Sequence, residues 1–141
     1  MNRFLRAVAF ALVVSACGTT LAYVPQPERI TNPAEELKTL IVAADRNGCN
    51  SMPSIVERDL TIMFDCPARD PKLMKSAMKP LALNFDQISA IDLRQSGEWY
   101  TVYVHNKSGQ PKDDLSWSSK KLEDMQHMVD CLTALWKAGG K

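Results

Sequence analysis

The stretch from Lys120 to Lys137 limits the fold more than any other, because its apolar residues fall on one stripe of a helix. Leu122, Met125, Val129, Leu132 and Trp136 recur at spacings of three and four, with Met128 and Leu135 at the margin and Gly139-Gly140 as the stop. A helix apolar along one stripe has to lie on another layer, and the residues before it supply a sheet. Trp99 to His105, dense in aromatic and β-branched residues, reads as the strongest strand of the chain.

The remaining pattern fits an antiparallel sheet. Ser54-Ile55-Val56 and Leu60 to Phe64 read as strands around a polar turn at Glu57 to Asp59, with Leu60, Ile62 and Phe64 on one face. Leu81 to Phe85 resumes the strand pattern. Ile88, Ile91 and Leu93 carry it through a turn into a strand ending near Gln95, and Ser96-Gly97 is a turn signal. Asn106 to Asp114 is a polar loop. Leu115-Ser116-Trp117 is a short strand, after which Ser118 or Ser119 can cap the last helix.

A first helix starts at Asn32-Pro33. Asn32 caps, Pro33 suits the first helical position, and Glu35 and Glu36 favour the positive end of the dipole. Leu37, Leu40, Ile41 and Ala44 form its buried face, and Asn47-Gly48 is its stop. Asp70-Pro71 opens a short helix through Lys79, ended by Pro80. Its Lys72, Lys75 and Lys79 suit anionic lipid or, more plainly, form a solvated face over a docked apolar one.

The N-terminus says where the chain works. Arg3 and Arg6 precede the apolar run Ala7 to Val14, the layout of a secretory signal and far short of the roughly 20 residues of a membrane-spanning helix. The run closes on Val14-Ser15-Ala16-Cys17, which resembles the bacterial lipobox at all four positions. The resemblance implies cleavage before Cys17 and acylation, palmitate included, of that cysteine. Thr20-Leu21-Ala22 is a weaker site for ordinary signal peptidase. Several acyl chains anchor stably where one does not. Gly18, rather than Asp, follows the cysteine, and the family's sorting rule then favours the periplasmic face of a Gram-negative outer membrane. On this reading 1–16 is the signal peptide, 17–32 a lipidated linker containing Pro25 and Pro27, and 33–141 one globular domain. The linker would be loosely packed and reach at most about 50 Å.

Seventeen basic residues less Arg3 and Arg6, against sixteen acidic ones, leave the mature chain at −1. That balance argues against a nucleic-acid binder. The α+β reading takes a sharper form from Phe85 to Ile91, the turn at Gln95-Ser96-Gly97, Trp99 to Val104, Leu115-Ser116-Trp117 and the helix through Trp136. Their order resembles bacterial domains of the pleckstrin-homology (PH-like) superfold. The resemblance implies a small antiparallel barrel, or strongly bent sheet, closed by a C-terminal amphipathic helix, here with an extra N-terminal helix.

Catalytic constellations are sparse. His105 and His127 have no ligand at short metal-binding spacing, and Asp113-Asp114 and Glu123-Asp124 are adjacent pairs that do not converge. No nucleophile or phosphate-cradling motif occurs, so no enzyme, cofactor or metal is expected. Trp99, Tyr103 and Trp117 are the candidate interaction surface. Trp99 and Tyr103 share a side of their strand, opposite Tyr100, Val102 and Val104, although packing in a core is the alternative.

With Cys17 lipidated, three cysteines remain, and an oxidising periplasm would pair two. A turn near Glu57-Arg58 sets Ile55 opposite Leu60 and, by extension, Cys49 opposite Cys66, on the face of Ile62 and Phe64. Pro53 and Met52 threaten that ladder. Cys131, off the apolar stripe of the last helix, is left odd. The expectation is a non-catalytic outer-membrane lipoprotein whose domain binds a protein or envelope component; a structural accessory subunit of an envelope complex is the alternative, and an enzyme a distant third.

Overall fold

The computed structural model describes residues 18–44, 49–66 and 79–140. Cys17, the Asn47-Gly48 stop and the expected helix from Asp70, up to residue 78, lie outside the described residues.

The fold is α+β, with two helices and two antiparallel sheets. Helix α1 (Pro33–Ala43) begins where its capping residues place it. Asn32 Oδ1 accepts from the Glu35 N–H at 3.4 Å, and Glu36 Oε1 accepts from the Asn32 N–H at 3.2 Å. Strands β2 (Asn50–Val56) and β3 (Asp59–Asp65) form a hairpin in which Ile55 faces Leu60. Glu57 and Arg58 make the turn, Glu57 at a φ of 54°.

Strand β4 (Leu81–Asn84) joins the far side of β3, giving a three-stranded sheet in the order β2-β3-β4. Phe85 leaves the ladder and starts a 3₁₀ turn, Phe85–Gln87, because Asn84 Oδ1 accepts from the Asp86 N–H and bends the chain. Strands β5 (Ile88–Ser96), β6 (Trp99–Asn106) and β7 (Leu115–Ser119) follow, and helix α2 (Leu122–Gly139) closes the chain. Lys121, not a serine, is the N-cap residue of α2, and Ser119 Oγ accepts from its backbone N–H.

The expected barrel does not close. A short strand β1 (Thr19–Thr20) pairs with the free edge of β5, Thr19 opposite Gln95 and Thr20 opposite Arg94, and makes the second sheet β1-β5-β6-β7. It occupies the edge that a strand of the first sheet would need in order to close a barrel. Gly18 makes this approach possible: it sits at a φ of 86°, and a Cβ there would collide with the Gln95 carbonyl oxygen.

The stretch expected as a loose linker is therefore docked. The Leu21 N–H donates to Leu93 O at 2.8 Å, and Leu21, Tyr23 and Ile30 pack on the core. Tyr23 Oη donates to both carboxylate oxygens of Asp130 at 2.9 Å, and the Gln26 N–H donates to Asp130 Oδ1 at 2.7 Å.

One core joins both sheets and both helices. Leu60 and Ile62 come from one sheet, Ile88, Val102, Val104 and Trp117 from the other, Leu37 and Ile41 from α1, and Met125, Met128 and Leu132 from α2. The middle of α2 is covered well beyond one stripe, for Asp130, Cys131 and Thr133 are buried too. Cys131, expected off the apolar stripe, is fully buried because α1 packs against that flank of α2.

Candidate functional site

The outward face of the four-stranded sheet carries most of the polar chemistry. Alternation along β6 sends Tyr100, Val102 and Val104 toward the core, leaving Trp99, Thr101, Tyr103 and His105 on the outer side, half-buried. Register then sets their neighbours: Asp92 lies opposite Tyr103, Arg94 opposite Thr101, and Ala90 opposite His105.

His105 is held by two carboxylates. Its Nε2 is 2.8 Å from Asp92 Oδ2 and its Nδ1 3.1 Å from Asp114 Oδ2. Burial alone would lower the His105 pKa, but the hydrogen bonds and negative charges of Asp92 and Asp114 outweigh it, and the pKa is raised. Asp114 is lowered, first by the Asn106 N–H that donates to it at 2.8 Å and then by His105. With both ring nitrogens turned to carboxylates, the geometry favours the charged, doubly donating ring over the neutral one.

Arg94 extends this network. Its Nη2 lies 3.4 Å from Asp92 Oδ2, and its guanidinium stacks 4.6 Å from the centre of the Tyr103 ring. Lys120 lies 5.3 Å over the Trp99 ring and 3.4 Å from Glu98. Thr101 and Ser118 hydroxyls meet at 2.8 Å. The face thus alternates aromatic rings with cations seated on them, over a base of carboxylates.

Trp117 does not join Trp99 and Tyr103. It is 1% exposed, since its pairing with Val102 puts it on the core side of β7. Cys49 and Cys66 form a disulfide, with their Cα atoms 4.2 Å apart, at the open end of the β2–β3 hairpin. The ladder runs unbroken through Pro53 and Met52, because β2 is an edge strand and Pro53 needs no outward N–H.

A second cluster lies between the helices. His127 Nε2 is 2.6 Å from Glu36 Oε2, and this hydrogen bond leads the causes that lower the Glu36 pKa. Cys131, four residues on from His127, lies beneath them. Its thiol is pushed up to about 12, by burial first and then by the charges of Glu36 and Asp130. The expectation that His127 lacks a ligand at short spacing fails, since Cys131 stands four residues on, one helical turn away; only Glu36, which arrives from a distant helix, was out of reach of the sequence pattern.

An open cavity of about 250 Å³ is lined by the segment that follows β1 and by β5, with Leu21, Tyr23, Ile91, Asp92, Leu93 and Val129 among its residues. Asp92 reaches it, whereas His105 is not part of its lining. Among the described residues no helix is long and apolar enough to cross a membrane. No protein family, curated protein or solved structure matches this chain.

Neither sheet presents both faces to the core. On the three-stranded sheet the outward residues include Met52, Ser54, Val56, Asp59, Thr61 and Met63, with Met52 directly opposite Met63 and Ser54 opposite Thr61. Val56 is 66% exposed, and the two methionines are about half exposed.

Proposed function

We propose that the chain is a non-catalytic lipoprotein, anchored through Cys17 at the periplasmic face of an outer membrane, whose domain binds a protein or envelope component. The observation that carries the anchor is the lipobox match at Val14 to Cys17 behind a basic and apolar leader. The outer face of the four-stranded sheet supports the binding half. Trp99 and Tyr103, each under a cation, offer rigid rings and charged donors together, the composition of protein interfaces. The non-catalytic reading is supported by His105, whose two carboxylate partners leave it neither a free base nor a nucleophile activator. A strongly bent sheet of PH-like descent remains the finer fold reading, supported by the element order from Leu81 to Trp136.

Replacing Cys17 by Ser tests the anchor. The variant loses metabolic lipid labelling and leaves the membrane fraction; retention of both sinks the reading. A photo-crosslinking residue at Trp99 in intact cells tests the binding face, where a discrete adduct is expected and its absence counts against the face. The accessory-subunit reading rests on a different observation, the exposed Met52, Val56 and Met63 surface that a permanent partner would bury. It predicts a stoichiometric complex that survives mild detergent.

A further inference from the structure

Helices α1 and α2 bring together three side chains of metal-ligating type that the proposed function does not use. The ligand atoms of Glu36, His127 and Cys131 all lie within 4.8 Å of one another. We propose that these three residues bind one zinc ion, or a divalent ion of the same borderline class, between the two helices.

The donor set suits zinc. Thiolate, imidazole and carboxylate are the zinc ligands of proteins, with bonds of about 2.0–2.3 Å, which place donor atoms roughly 3.3–3.8 Å apart in a tetrahedral site. Drawing the three donors onto an ion therefore asks for movements of about 1 Å. His127 and Glu36 can supply them, because their side chains are 44% and 31% exposed. The buried Cys131 need not move.

The carboxylate is also held in a ligating orientation. Glu36 Oε1 is already engaged by the Asn32 N–H at 3.2 Å, which turns Oε2 toward His127 and the thiol. Such an outer partner is what fixes a metal-binding carboxylate. The cap of α1 thus doubles as the support of a ligand.

Access and charge agree. The thiol is fully buried whereas the imidazole and carboxylate are partly exposed, so the solvent side of the cluster is the His127 side. Cys49 and Cys66 are consumed by their disulfide, and Cys131 is a free cysteine. On binding, the Cys131 thiol loses its proton to solvent, His127 gives up the Nε2 proton it donates to Glu36 and coordinates through Nε2 as the neutral Nδ1–H tautomer, and the Glu36–His127 hydrogen bond gives way to two metal bonds. Two negative ligands then balance the dication. Three protein ligands leave a fourth position for water, the pattern of an open rather than a closed zinc site.

Cobalt(II) titration of the full-length protein, stripped with a chelator, tests this. One equivalent should produce the near-ultraviolet thiolate-to-cobalt charge-transfer band, and one equivalent of zinc should erase it. Cys131→Ser should abolish the band. Since that change is buried, His127→Ala on the solvent side is the second variant, and it should weaken zinc binding by about tenfold or more while leaving the circular dichroism unchanged. Absence of a thiolate band in the wild type overturns the proposal, as does equal zinc affinity of the wild type and His127→Ala. Neither outcome bears on Cys17, whose lipidation is read separately from the mass of the N-terminal peptide.

Discussion

Asp130 is 7% exposed on the covered part of α2, and its carboxylate is satisfied by residues more than a hundred positions earlier. Removing the Tyr23 hydroxyl deletes its contacts with both Asp130 oxygens and leaves the buried carboxylate only the Gln26 N–H, which costs roughly 1.5–3 kcal/mol. Tyr23→Phe should therefore lower the urea midpoint of unfolding at an unchanged slope. The phenol itself is held up to about 12, by burial first and then by Asp130, so it stays protonated throughout the physiological range. His105 gives a pH signature of the opposite kind to an acid. Its folded pKa is raised above the ordinary 6.5, so its contribution is fully present below 6.5 and is lost as pH rises through the folded value. Thermal melts of wild type and His105→Asn should differ most on the acid side of 6.5 and converge in alkaline buffer. A gap that widens with pH would show the sign to be wrong.

Between elements, Arg58 does what no alternation pattern announces. From the β2–β3 turn its Nη1 donates to Leu135 O at 2.6 Å and its Nη2 to Trp136 O at 3.4 Å, near the C-terminal end of α2, while Asp86 accepts from the same guanidinium at 2.8 Å. A cation there meets the negative end of the dipole and satisfies carbonyls the helix leaves open. Arg58→Ala should cost about 1–3 kcal/mol by chemical denaturation. Gly139→Ala should act in the same direction, since a Cβ there would strike the paired Arg58 and Asp86 side chains. The disulfide is worth about 3 kcal/mol for a loop of this length in the chain-entropy model, so Cys49→Ala with Cys66→Ala should lower the melting temperature by roughly 10 °C or more. The hairpin was legible because a polar two-residue turn and strict alternation on β3 fix the register. Pro53 looked like a break because a sequence does not say which strand lies at an edge. Cys131 was misplaced for a related reason: an amphipathic stripe presumes one covering layer, and α2 has a sheet on one flank, α1 on another and the Tyr23 segment on a third.

For the molecule as a whole, class and chain order were readable and closure was not. Both helices and the strands from Ser54 onward sit close to where periodicity puts them. Strand β1 escaped notice because two threonines carry no period, yet they decide that the sheets stay separate. Trp117 was grouped with Trp99 and Tyr103 by residue type, but only the pairing between strands tells which side a tryptophan takes.

Gly18 has its own consequence for an anchored protein. If Cys17 carries lipid, one peptide bond separates it from a residue lodged against the backbone of Gln95. The protein would then ride on the bilayer as a moored hull rather than swing on a leash, with the β5–β6 turn as its keel. A leash of fifteen residues lets a domain search a hemisphere about 50 Å in radius. A mooring confines it to lateral diffusion, with its orientation fixed and its local concentration for a neighbour in the same membrane correspondingly raised.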